Sequence, residues 1–157
     1  MMILNLSAAL LFSLLSFISP AHSEAPQASL AEATCNAKPY IDFCISKLPQ
    51  GYTFLKSYPI NGENGAKKMV RFSYVFSKGM NYFIRIANNT DDTAPNGVFL
   101  RLKDSSQKEV ASTLSGGGKE YLKGLAYTCN TTGIYYLEYH FDKTNNYCAG
   151  GVLAFKR

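Results

Sequence analysis

The chain has 157 residues, a formal net charge of +5, four cysteines, two histidines, eleven tyrosines and no tryptophan. Its basic residues are scattered (Lys38, Lys56, Arg71, Arg85, Arg101, Lys123, Lys143), with no block longer than Lys67-Lys68, which excludes a dedicated nucleic-acid stripe. The size allows one domain with a real core.

The first segment, "MMILNLSAALLFSLLSFISPAHSEAP", is apolar from Leu4 to Ile18 but too short for a comfortable membrane span. Ala21 and Ser23 are small residues where a signal peptidase reads, so residues 1–23 are expected to be a signal peptide cleaved before Glu24. No Lys or Arg precedes the apolar run, and every charged residue follows the cleavage point. A secreted, periplasmic or cell-surface protein that no longer spans a membrane is the expectation. Residues 24–34 are Ala, Glu, Gln, Ser and Pro for the most part, a flexible lead-in to a single domain over 35–157.

The domain begins "CNAKPYIDFCISKLPQGY". Tyr40, Ile41, Cys44 and Leu48 share one helical face, which predicts a short helix from about Pro39 to Lys47, stopped by Pro49 and Gly51. After Gly51 the period becomes two. "YTFLKSY" alternates Tyr52, Phe54 and Tyr58 with Thr53 and Ser57. "VRFSYVF" sets Val70, Phe72, Tyr74 and Phe76 against Arg71 and Ser73, and "YFIRIAN" sets Tyr82, Ile84 and Ile86 against Arg85. "VFLRLKD" places Val98, Leu100 and Leu102 inward, and "KEVAST", "YLKGLAYTC", "GIYYLEYHF" and "CAGGVLAFK" complete the set. Turn residues punctuate them at Asn61-Gly62, Lys78-Gly79, Asn96-Gly97, Gly116-Gly117-Gly118, Thr132-Gly133 and Asn145-Asn146. About eight short strands with one solvated face each predict an all-β, antiparallel, jelly-roll-like sandwich.

Four cysteines beyond the cleavage point fit an oxidising compartment and two disulfides. Placing the strand ends at alternate poles separates Cys129 from Cys148 by more than about 20 Å, whereas bridged Cα atoms lie within about 7 Å. The favoured pairing is therefore Cys44–Cys129 with Cys35–Cys148, a helix stapled lengthwise across the sandwich. The alternative is local pairing, Cys35–Cys44 and Cys129–Cys148. Zinc is disfavoured by export and by spacings unlike those of a zinc ribbon.

No catalytic constellation emerges. Once His22 is cleaved away, His140 is the sole imidazole on which a triad could be built, no G-x-S-x-G elbow is present, and "LSGGGKE" lacks the spacing of a phosphate loop. The carboxyls lie mostly at turns, unlike a facing glycosidase pair. On the strand "GIYYLEYHF", Tyr135, Leu137, Tyr139 and Phe141 belong to the core, and Tyr136, Glu138 and His140 form a half-polar outer face, the candidate ligand surface. "NNTDDTAPNG" concentrates oxygen donors, and Asn88, Asp91, Asp92 and Asn96 are a weak Ca²⁺ candidate beside the plain polar-loop reading. No other cofactor is expected. Tyrosines crowd the strands, where sheet packing favours them and where sugars could stack.

In order along the chain, "FSYVFSKGMNYFIRI", "GVFLRLKDSSQKEVAST" and "LAYTCNTTGIYYLEYHF" resemble the bacterial pre-peptidase C-terminal (PPC) type of β-sandwich. The resemblance runs over roughly 70–141 and rests on Gly79, Asp104 and Gly133-Tyr135-Tyr136. It departs from the family at Lys67-Lys68-Met69, where acidic residues often stand, and in its four cysteines. The whole chain is also similar to small exported proteins of Gram-negative bacteria, a resemblance that implies no activity. The function expected is an exported, non-catalytic binding or accessory module, its ligand a glycan or envelope polymer. The alternatives are a structural envelope-associated protein, or a small secreted hydrolase or inhibitor.

Overall fold

The computed structural model describes residues 35–157. The expected signal peptide and lead-in lie outside the described residues. Helix α1 (Lys38–Ser46) carries Pro39 in its first turn, where the missing N–H leaves no bond unmade. Ten strands follow: β1 (Thr53–Asn61), β2 (Met69–Phe76), β3 (Asn81–Ala87), β4 (Val98–Lys103), β5 (Glu109–Ser112), β6 (Leu114–Ser115), β7 (Glu120–Tyr121), β8 (Gly124–Thr128), β9 (Gly133–Phe141) and β10 (Cys148–Lys156).

They form two four-stranded sheets, β1-β10-β3-β8 and β2-β9-β4-β5, and a two-stranded ribbon, β6-β7. With the ribbon set aside, successive strands alternate between the sheets from β1 to β4 and again from β5 to β10. That interleaving is a jelly roll, with every pairing antiparallel. The glycine run 116–118 is the tip of the ribbon, all three residues at positive φ.

Period-two alternation holds as expected in β2, β3, β4 and β9, and the inward side chains make one aromatic-rich core. Phe76 stacks on Tyr82 with ring centroids 3.9 Å apart and on Tyr135 at 4.8 Å, while Tyr58 meets Phe72 at 4.9 Å. Strand β1 differs from expectation. A register shift between Phe54 and Lys56 slips its pattern by one position, so Leu55 packs toward the core and Phe54 is exposed. A bulge inserts one unpaired residue and reverses the alternation beyond it.

Helix α1 lies on the outer face of the β1-β10-β3-β8 sheet, against Ala87 and Val152. Two adjacent glycines of β10 make room on opposite sides. A Cβ on Gly150 would stand 2.6 Å from the backbone nitrogen of Ile41, and one on Gly151 would stand 2.7 Å from the Tyr139 hydroxyl. Gly150 thus admits the helix backbone, and Gly151 admits a core tyrosine from the facing sheet.

Cys35 and Cys148 are bonded, with Cα atoms 5.2 Å apart, tying the start of the helix to the start of β10. The expected Cys44–Cys129 bridge is not formed, and both thiols are free and buried. Cys44 lies on the sheet-facing side of helix α1, outside the β1-β10-β3-β8 sheet, its Sγ 3.7 Å from the Gly150 carbonyl. Cys129 packs in the core between the sheets, its Sγ 3.1 Å from the Thr131 carbonyl. Assigning strand ends to poles places the two at similar heights but ignores that the sheet itself runs between them. Burial pushes the Cys44 thiol up to about 12, against the opposing pull of Arg85. Among the described residues, no helix is long and apolar enough to cross a membrane.

Candidate functional site

Among the described residues, no helix packs on the outer face of the β2-β9-β4-β5 sheet. Outward positions alternate along β2 as Met69, Arg71, Ser73 and Val75, and along β9 as Ile134, Tyr136, Glu138 and His140. Phe99, Arg101 and Lys103 follow on β4. The register sets Arg71, Glu138 and Arg101 side by side across three strands. Met69, Val75 and Ile134 are exposed here, whereas Phe99 is covered by His140 and by Tyr121 of the ribbon, with ring centroids 4.9 and 6.3 Å away.

Glu138 is the centre of this face, and only 2% of its surface is exposed. An isolated carboxylate so placed would be strongly unfavourable; here it is surrounded by donors. Arg71 Nη2 donates to Oε1, Lys103 Nζ lies 3.0 Å from Oε2, and His140 Nε2 lies 3.5 Å from the same oxygen. Burial alone would raise the Glu138 carboxyl. Hydrogen bonds from Lys103 and Arg71, together with their charges, outweigh it and hold the group below the usual glutamate range. Arg71 also lies over the Tyr136 ring at 5.2 Å, and Arg101 lies over Phe99 at 5.5 Å while pairing with Glu109 at 3.4 Å.

The sequence expectation of Tyr136, Glu138 and His140 on one outer face agrees with this geometry. It left out Arg71, Lys103, Arg101 and Phe99, which complete the cluster. Three strands have to be paired in register before those positions converge, and no local motif announces that. His140 is half-buried, stacked on Phe99 at an interplanar angle of 9°, and its proton affinity is lowered by burial and then by Arg101. The ring packs on Phe99 and Glu138, an arrangement that fixes the face.

The side chains of Asn88, Asp91 and Asp92 have other partners, and Asn96 is held through its backbone. Asn88 is buried, and its amide clasps the backbone of Asn96 with two bonds of 2.9 Å, pinching the loop. Asp91 accepts from the amide and hydroxyl of Thr93 at 3.1 and 2.7 Å. Asp92 faces Arg85 at 2.6 Å and Lys123 at 3.3 Å. Among the described residues, no group of three or more His, Cys, Asp or Glu converges.

Neither a protein-family model nor a curated protein sequence matches this chain. Among solved structures, it is similar to Aeromonas hydrophila PliG, described as a periplasmic lysozyme inhibitor of g-type lysozyme. The TM-score is 0.43 and the identity 10%, over 70% of this chain and 92% of that one.

Proposed function

We propose that the protein is an exported, non-catalytic binding module whose uncovered sheet face takes an acidic polysaccharide of the cell envelope. The observation that carries this reading is Glu138. A buried carboxyl pairs with both Arg71 and Lys103 and so fixes where their charged ends stand on the sheet, which lowers the ordering cost of meeting a ligand. Arg71 keeps 41% of its side-chain surface exposed and Arg101 keeps 42%. Three cations stand against two carboxyls, Glu138 and Glu109, leaving the face with a positive surplus toward an acidic polymer. Tyr136 adds an aromatic surface beside them. The Cys35–Cys148 bridge supports export, and the Phe99 and Glu138 contacts of His140 support a role other than proton transfer.

The test is retention on immobilised polygalacturonate against neutral dextran. We expect selective retention, released near 1 M salt, where the screening length is about 3 Å. Arg101→Ala and Tyr136→Ala should each weaken it severalfold. Equal retention on dextran, or retention indifferent to both substitutions, would overturn the reading.

A further inference from the structure

At the pole where β9 begins, the β4–β5 turn (residues 104–108) and the β8–β9 turn (residues 130–132) face each other across a cleft of about 340 Å³. This lies within the roughly 300–1,000 Å³ typical of small-molecule sites. We infer that this cleft binds a neutral saccharide unit, at a site separate from the charged sheet face.

Bonds at each turn hold both walls and leave other polar groups of the lining side chains without partners among the described residues. Asp104 Oδ1 accepts from the amides of Ser106 and Lys108 at 2.9 and 3.0 Å, and the Asp104 amide donates to the Lys108 carbonyl at 2.9 Å. Opposite, the Tyr135 hydroxyl donates to the Thr131 carbonyl at 3.0 Å, and the Lys78 amide donates to Thr132 Oγ1 at 2.9 Å. Asp104 Oδ2, the hydroxyls of Ser105 and Ser106 and the Asn130 amide have no hydrogen-bond partner among the described residues. They supply acceptors, donors and groups that do both.

Val110 and Tyr127 give the cleft an apolar wall. No Lys, Arg or His lines it, so an anionic group would find no counter-charge there. One carboxyl is too few for a hard cation site, which gathers six or more oxygens. A ligand with hydroxyls around its rim and C–H groups on its faces matches both walls, and a sugar ring has that form.

The experiment titrates the ¹⁵N-labelled protein with neutral oligosaccharides of glucose, mannose and N-acetylglucosamine, following the amide signals. Binding should shift Ser105, Ser106, Asn130 and Gly133. Ser105→Ala/Ser106→Ala and Asn130→Ala remove only side-chain groups without intramolecular bonds, and each should weaken binding about tenfold. Asp104→Asn keeps the acceptor that holds the turn and should weaken binding less. Arg101→Ala on the sheet face should leave it unchanged. The inference is overturned if none of the three sugars shifts these signals, if the cleft variants bind as the parent does, or if the shifts map to Tyr136 and Arg101 instead. Acidic-polymer retention surviving in the cleft variants would leave the sheet-face reading intact, so the two fail separately.

Discussion

On the outer face of the β1-β10-β3-β8 sheet, Ala87 and Val152 are buried under helix α1 together with Cys44 of the helix's inner face, and Gly150 lets the helix backbone approach the strand. At the centre of the opposite outer face stand Glu138, Arg71 and Lys103, with no helix above them among the described residues. Beneath the helix the first face is apolar apart from Arg85, which lies over the Phe43 ring at 5.7 Å and pairs with Asp92. Covering it withdraws aliphatic surface from water, at roughly 1.5–3 kcal/mol for each large side chain. The second is shielded in part by its own long side chains, whose charged ends pair with Glu138 and whose stems cover that carboxyl while a positive surplus remains. A face that needs a lid is structural, whereas one that holds its own polar groups in place stays open to a ligand.

The largest effect should come from emptying the charged face. Arg71→Ala/Lys103→Ala leaves the Glu138 carboxyl buried without its two nearest cations. Breaking a buried pair typically costs 3–5 kcal/mol, and the 41% exposure of Arg71 argues for the lower end, about 3 kcal/mol in urea unfolding. Adding Glu138→Leu should restore most of that loss, because the orphaned charge is gone. A triple variant no more stable than the double would mean that Glu138 is not what organises the face.

The covered face should be less sensitive to one substitution, but in a way that can be located. Gly150→Ala drives a methyl against the backbone of Tyr40 and Ile41, at a cost of about 1–3 kcal/mol for overpacking. The helix must lift, and the thiol on its inner face should report this. Cys44, buried and held as a protonated thiol with its affinity pushed up to about 12, should resist alkylation in the parent and react in Gly150→Ala. A variant in which Cys44 stays protected while stability falls would show that the sheet, not the helix, moved. Unmasking of two thiols by denaturant without reductant checks the free Cys44 and Cys129 as well.

Much of the architecture is written in the period-two runs, because each strand has one face in the core and one outside. That rule assigned Tyr135, Leu137, Tyr139 and Phe141 inward from nine consecutive residues. It failed at Phe54, since a one-residue bulge leaves no mark in the composition of β1. The helix over one sheet was legible from the spacing of Tyr40, Ile41 and Cys44, but which sheet, and which side of it, was not. The Cys44–Cys129 expectation depends on that choice, because the sheet runs between the two residues. "AGG" in the last strand held the missing clue, since paired glycines inside a strand mark close approach on both faces. Of the candidate site, the β9 half was readable and the β2 and β4 half was not, because Arg71 and Lys103 meet Glu138 only through long-range register.

The smallest predicted effect separates the two ionisable groups of the open face by pH. His140 takes up a proton less readily when folded than when unfolded, owing to burial and then to Arg101. The unfolded chain therefore binds that proton first, and stability begins to fall as the pH drops below about 6.5. Glu138 is held below the usual glutamate value, so its contribution is complete above about 4.3 and disappears at lower pH as the folded carboxyl protonates. His140→Phe keeps a ring against Phe99 and removes the first step only. Urea midpoints across the acid range should then coincide for parent and variant below the glutamate step in shape, differing only in the slope between neutrality and that step. If the slope persists in His140→Phe, the acid sensitivity of this face belongs to Glu138 and its cations alone, and the imidazole is merely a filler beside Phe99.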